Sequence, residues 1–199
     1  MYLWFKLNAW SVVGYEKLLW TGCDVFFRKD PSKAFEYPAP ASVIDHYVYG
    51  MSDLGPVTNG DFFLLKPSLR DYAGMKRLGL QWSRDPDYFG MKILLKGASW
   101  TGPHDQGLIT QFFEGNITTM PQWYQLEVPG SARSILGYNK TYDPDPRIVS
   151  FHFPSTVKPW KQDVGDYSKA WSNVAHEAFD FLEYSINLEE IGFPPKGKV

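Results

Sequence analysis

Three short constellations in this chain place chemistry-bearing residue types where a layered fold would expose them. Asp24 closes the turn Thr21-Gly22-Cys23-Asp24, directly after the short apolar segment Lys17–Trp20. Open α/β sheets collect their ligands at the carboxyl ends of strands, so a carboxylate there is a candidate. Asp105 and Gln106 follow Gly102-Pro103 at the amino end of a helical pattern, where capping alone also favours an acid. His152 lies in the extended segment Arg147–Phe153, and Lys158-Pro159-Trp160 follows it. A carboxylate, an imidazole and an ammonium together suit a divalent metal holding a diphosphate; packed or solvated side chains are the alternative.

Other candidates read as structural. Cys23 lacks a neighbouring base and reads as a packed thiol. His46 falls in a loop and His176 on the polar side of a helix, both as solvated histidines. Asp85/Asp87 and Asp143/Asp145 are each interrupted by proline and suit a helix cap and a turn better than metal ligation.

The elements that must position these groups follow from periodicity. Leu3, Leu7 and Trp10 recur at helical intervals, predicting an amphipathic helix over Leu3 to Val13, stopped by Gly14. Lys17–Trp20 and Val25-Phe26-Phe27 read as short strands, and Asp30-Pro31 as an N-cap with proline at the first position of a helical turn through Phe35. Breakers fill 36–58, with a short strand at Ser42-Val43-Ile44. Phe62–Leu65 has the continuous apolar pattern of a fully buried strand. Ser68 with Asp71 three residues on resembles a capping box opening a helix to about Leu80. Asp85-Pro86 opens another helix, closed by Gly97, and Pro103–Phe113 forms a third. Trp123–Val128 and Arg147–Phe153 read as strands. The last element is a helix over Asp166–Leu188, with Trp171, Val174, Ala175, Ala178 and Leu182 on one side and Ser172, Asn173, Glu177, Asp180 and Glu183 on the other. Strands interspersed with helices predict an α/β sheet.

Composition narrows the function classes. The 199 residues carry 20 Lys+Arg against 22 Asp+Glu, a balance without the basic footprint of a phosphate-backbone binder. A single cysteine excludes an intramolecular disulfide scaffold. Apolar runs stop far short of the ~18 residues of a membrane span, and the first twenty residues lack a signal-peptide core. A soluble, intracellular protein is expected. With 8 Trp, 12 Tyr and 14 Phe, the chain is rich in residues that serve interfaces and sugar pockets alike.

Read in order, several motifs resemble the central block of family 8 glycosyltransferases, the glycogenin and galactinol-synthase group. They are Lys6-Leu7-Asn8-Ala9-Trp10-Ser11, Tyr15-Glu16-Lys17, Asp24-Val25 and Asp30-Pro31…Ala34-Phe35. Asn59-Gly60-Asp61-Phe62-Phe63-Leu64-Leu65-Lys66-Pro67-Ser68 is similar to the family's Asn-Ser-Gly strand ending in Pro-Ser. His104-Asp105-Gln106-Gly107 is similar to its Asp-Gln-Gly helix start, Tyr138-Asn139 to its Tyr-Asn, and His152-Phe153…Lys158-Pro159-Trp160 to its His-Phe…Lys-Pro-Trp. The match runs from about residue 6 to 160.

The resemblance implies a GT-A, Rossmann-like fold and manganese-dependent, retaining transfer of a hexose from a UDP-sugar. It implies Asp24 and His152 as metal ligands, Lys158 on the diphosphate, and Lys6 helping to hold the donor. Asp105 and Gln106 would face the donor sugar, with Asn59 on the sugar or acceptor. Two departures matter. The family's first Asp of the metal turn is Gly22 here, which offers no ligand, and Gly60 and Asp61 replace small residues, bringing in a carboxylate. The family's uridine-binding strand-helix units precede the Lys-Leu-x-x-Trp helix, so at ~30 residues per βαβ unit about two are expected to be missing. The expected organisation is a family 8-like domain over 1–165, an amphipathic helix over 166–191 and a flexible tail over 192–199. A sheet without its first strands would present an edge for a protein partner. The resulting expectation is a glycosyltransferase relative with impaired or lost transfer as an isolated chain, kept as a subunit of an assembly. The alternative is an active hexosyltransferase, completed by a partner chain.

Overall fold

The computed structural model describes residues 2–45, 58–84, 105–127, 146–154, 158 and 166–181. In chain order it has a 3₁₀ helix Tyr2–Ser11, β1 (Leu18–Thr21), β2 (Val25–Phe27), a 3₁₀ helix Ser32–Glu36, β3 (Ala41–Ile44) and β4 (Thr58–Leu65). There follow α1 (Leu69–Arg84), α2 (Asp105–Phe112), β5 (Thr118–Thr119), a 3₁₀ turn Gln122–Tyr124, β6 (Leu126–Glu127), β7 (Ser150–His152) and α3 (Asp166–Phe181). The chain divides into two compact units, one of Met1–Cys23 with Asp30–Gln125 and the other of Asp24–Lys29 with Leu126–Val199.

In the first unit the sheet order is β1-β4-β3-β5, antiparallel except for the parallel β3–β5 pair. The central strand is β4, the one the apolar run predicts, extended towards its amino end by Thr58–Asp61. Its ladder with β3 is interrupted. From Ser42 to Ile44 β3 advances two residues, while β4 runs back five, from Phe63 to Thr58. Three residues of β4, Asn59-Gly60-Asp61, are therefore surplus to the pairing, and an extra stretch of this kind bends a strand and re-aims its side chains. The Ser42 hydroxyl, buried, lies 2.8 Å from the Asn59 carbonyl and 2.9 Å from that of Phe62, giving a donor to backbone oxygens the interrupted ladder leaves over.

Against this sheet pack the first 3₁₀ helix, α1 and α2. Leu7, Trp10, Phe63, Leu65, Met75, Trp82, Leu108 and Ile109 form the core, with Trp10 5.5 Å from Phe63 and 6.1 Å from Phe113 between ring centroids. The predicted amphipathic helix takes the 3₁₀ form, over Tyr2–Ser11. Leu7 and Trp10 stand three apart, a spacing that a three-residue turn aligns as well as an α-turn does, and no acid stabilises the first turn. Ser68 caps α1 as the pattern suggests, its hydroxyl accepting from the Asp71 N–H at 3.1 Å. Gly74 is fixed by the α1–α2 contact, because a Cβ there would lie 2.6 Å from the Phe112 ring.

The second unit holds a three-stranded sheet ordered β2-β7-β6 and a core of Phe26, Ile148, Phe151 and Phe153, with Trp171 of α3 packed on it. The sequence places Ser172 on the polar face of this helix, but it is fully buried, and Val174, assigned to the apolar face, is exposed. A small hydroxyl costs little to bury once bonded. Other expectations shift by short distances. Pro31, not Asp30, holds the N-cap position, and Asp30 accepts from the Ser32 N–H at 2.9 Å. The strand read over Trp123–Val128 begins as a 3₁₀ turn and is extended only at Leu126–Glu127. Cys23, expected to be packed, is exposed, since it sits in a turn rather than in the adjoining strand. The expected helix at 85–97, His46, Asp143/Asp145 and Tyr138-Asn139 lie outside the described residues.

Candidate functional site

Each unit carries a polar cluster at the ends of its strands. In the second unit, Asp24 immediately precedes β2, and the antiparallel register sets Val25 opposite His152. The Phe153 N–H donates to the Asp24 carbonyl at 3.0 Å, so the backbone itself fixes the position of the carboxylate. His152 is 4% exposed, with Nε2 3.6 Å from Asp24 Oδ1 and Nδ1 3.7 Å from Glu127 Oε1. Glu127 reaches it because β6 runs parallel to β7 with Glu127 in register with His152. Lys158 Nζ lies 2.5 Å from Asp24 Oδ2 and 2.5 Å from the Phe153 carbonyl. Burial pushes the Asp24 carboxyl up, but hydrogen bonds and charge from His152 and Lys158 outweigh it and hold the group well below the usual carboxylate range. It stays ionised at any ordinary pH.

This donor set fits a divalent cation in kind. Asp24 gives carboxylate oxygen and His152 imidazole nitrogen, a combination able to ligate a divalent cation. Glu127 sits on the far side of the imidazole, its Oε1 3.7 Å from Nδ1. These are the ligands this unit offers, and Gly22 adds none. The remaining coordination would fall to water and to oxygens of a bound phosphate.

In the first unit, the surplus Asn59-Gly60-Asp61 segment is gripped by three side chains. Asn59 Oδ1 accepts from the Asp61 N–H at 2.7 Å. Gln106, in the first turn of α2, accepts from the Gly60 N–H at 2.9 Å through Oε1 and donates through Nε2 to Asp45 Oδ2 at 2.6 Å. Both ends of its amide are thereby engaged and its orientation set. Lys6 Nζ lies 2.6 Å from Asp105 Oδ2, 2.8 Å from Asp61 Oδ1 and 3.2 Å from the Gly60 carbonyl. Burial alone would lower the Lys6 pKa, yet the Asp61 and Asp105 carboxylates outweigh it and raise the ammonium above its ordinary value. A Cβ at position 60 would come within 3.3 Å of Gln106 and 3.4 Å of Lys6 Nζ, so these side chains would have to give by a few tenths of an ångström.

The structure thus brings Asp24, His152 and Lys158 together in one cluster, and Lys6, Asn59, Asp105 and Gln106 in another. Sequence reasoning missed Glu127 and Asp45. Asp45 directly follows β3, the same strand-end position that singled out Asp24, and that signal could have found it. Glu127 depends on the pairing of β6 with β7, which no local pattern encodes.

The fold is of the GT-A glycosyltransferase type. In sequence the chain is similar to a glycogenin of Neurospora crassa, 23% identical over 159 residues, which is 79% of this chain and 19% of that protein. In structure it is similar to the glycosyltransferase GlyE of Streptococcus pneumoniae TIGR4, with a TM-score of 0.65 and 14% identity, covering 98% of this chain and 48% of that one. It is similar also to the galactosyltransferase LgtC, solved with donor and acceptor sugar analogues, with a TM-score of 0.58 and 17% identity over 94% of this chain and 68% of that one. No family model matches the chain. It spans about a fifth of the glycogenin and about half of GlyE.

Proposed function

We propose that this chain binds a UDP-hexose with a divalent cation, and that its hexose transfer is impaired in isolation and completed within an assembly. The observation that carries the reading is the second-unit cluster, in which Asp24, His152 and Lys158 converge from separate segments. Asp24 and His152 would hold the metal, whose contribution when bound is Lewis-acid neutralisation of a departing diphosphate. Lys158 offers an ammonium to phosphate oxygens, trading its contact with Asp24 for a more highly charged partner. Asp105, Gln106 and Asn59 would meet the donor sugar, with Lys6 beside them. Impairment follows from Gly22, since each missing carboxylate weakens cation binding by removing both a ligand and a charge. The strand β1 ends the sheet order of the first unit among the described residues, and such an edge suits a protein partner.

Electron paramagnetic resonance of Mn²⁺ tests the reading directly. The expected result is weak capture of Mn²⁺ by the chain alone, strengthened by UDP and lost in Asp24→Asn. Mn²⁺ that remains free with and without UDP would overturn it. Release of UDP from UDP-glucose at a rate matching a working transferase, by this chain alone, would instead favour the active alternative.

A further inference from the structure

Asp45 directly follows β3, and its buried carboxylate meets the side chain of Gln106 in the first turn of α2. Gln106 Nε2 donates to Asp45 Oδ2 at 2.6 Å, and Gln106 Oε1 accepts from the Gly60 N–H at 2.9 Å. The two ends of a carboxamide have nearly the same shape but opposite hydrogen-bonding character. Turned the other way, the amide would set its oxygen against a carboxylate, which only accepts, and its NH₂ against an N–H, which only donates. Both contacts would then repel. Asp45 and Gly60 therefore select the same one of the two orientations. A hydroxyl or amide at position 45 could donate as readily as accept and would leave the choice to Gly60 alone. One amide thus ties together the end of β3, the surplus segment of β4 and the start of α2. Each end of that amide keeps one further position, a second proton on Nε2 and a second lone pair on Oε1. A ligand reaching Gln106 meets that donor and acceptor in a fixed order, on a side chain that need not be ordered when it binds. Preorganisation of this kind gains affinity by removing an entropic cost.

We propose that Asp45 is a positioning residue, which locks the Gln106 amide in one orientation so that Gln106 meets the hexose of a bound nucleotide sugar already in place. It rests on the UDP-hexose reading above and names a residue that sets the geometry of the sugar end of that site. Asp45 acts through Gln106. Its removal therefore weakens the grip on the sugar and spares the grip on the nucleotide, whereas a residue that merely supported the fold would weaken both alike.

Two measurements on the full chain test this. In ¹⁵N relaxation, the Gln106 side-chain amide is expected to be as rigid as ordered backbone, with an order parameter of about 0.85, and to fall below about 0.6 in Asp45→Ala. Asp45→Asn keeps an oxygen able to accept and is expected to restore most of that rigidity. In calorimetric titration with Mn²⁺ present, Asp45→Ala is expected to bind UDP-glucose about three- to tenfold more weakly, with no matching loss for UDP. Asp45→Asn is expected to recover most of the difference. A mobile Gln106 amide in the wild type overturns the proposal without any variant. An amide that stays rigid in Asp45→Ala, or equal losses for UDP and UDP-glucose, also overturns it, while UDP binding by the wild type upholds the reading beneath. Absence of UDP binding by the wild type overturns both. Should Asp45→Ala fail to fold, Asp45→Leu, closer in size and without an acceptor, takes its place with the same readouts.

Discussion

Lys6 is the residue whose environment departs furthest from what a surface lysine experiences. It exchanges water for two carboxylates and a carbonyl, and the net effect raises its pKa despite burial. A folded value above the unfolded one, about 10.4, means that the pairing stabilises the fold fully below that pH. The contribution is lost as pH rises through the higher folded value. Thermal melts of wild type and Lys6→Met are therefore expected to differ at neutral pH and to converge as pH climbs past the folded value. A gap that stays constant from pH 7 to 11 would show that the ion pairs contribute nothing. Residue-level chemistry was partly legible in the sequence. Asp24, His152 and Lys158 announced themselves by type and position, and Asp61 by standing where the resemblance predicts a small residue. Their pairings were not legible, because Lys6 and Asp61 are 55 positions apart and Lys158 and Asp24 are 134 apart.

At the scale of elements, the interrupted β3–β4 ladder is what brings part of a buried strand, Asn59-Gly60-Asp61, into the polar cluster with Lys6 and Gln106. Ser42 supports it with a buried hydroxyl lying near three backbone carbonyls, those of Asn59, Phe62 and Val43. Ser42→Ala leaves buried acceptors without that donor and is expected to destabilise the chain by about 1–3 kcal/mol. Denaturant unfolding measures this, and a loss below a few tenths would contradict the supporting role. The α1–α2 contact makes a second prediction. Gly74→Ala drives a methyl against the Phe112 ring, whose nearest atom stands at 2.6 Å from the ideal Cβ, and overpacking of this kind costs about 1–3 kcal/mol. Gly74→Ala should lower the melting temperature, and Phe112→Leu in the same chain should recover part of the loss. Apolar runs and caps predicted β4 and α1 because both signals are local. The 3₁₀ form of the first helix and the two-residue strands β5 and β6 escaped, since a three-residue spacing fits both helix types and so short a strand carries no period of its own.

For the whole molecule, the fold is of the GT-A type and the sequence is similar to a glycogenin, while the chain spans only part of the proteins it resembles. No described helix is long and apolar enough to cross a membrane. The account therefore rests on whether the Asp24–His152–Lys158 cluster binds a nucleotide diphosphate with its metal. His152 is the residue to remove, because it is buried, its ring is flanked by two carboxylates and it supplies the only nitrogen ligand proposed. The most direct measurement is calorimetric titration of UDP into the purified chain with and without Mn²⁺, repeated on His152→Ala. The account predicts binding that requires Mn²⁺ and disappears in the variant. UDP binding that is indifferent to Mn²⁺, or unaffected by His152→Ala, would contradict it.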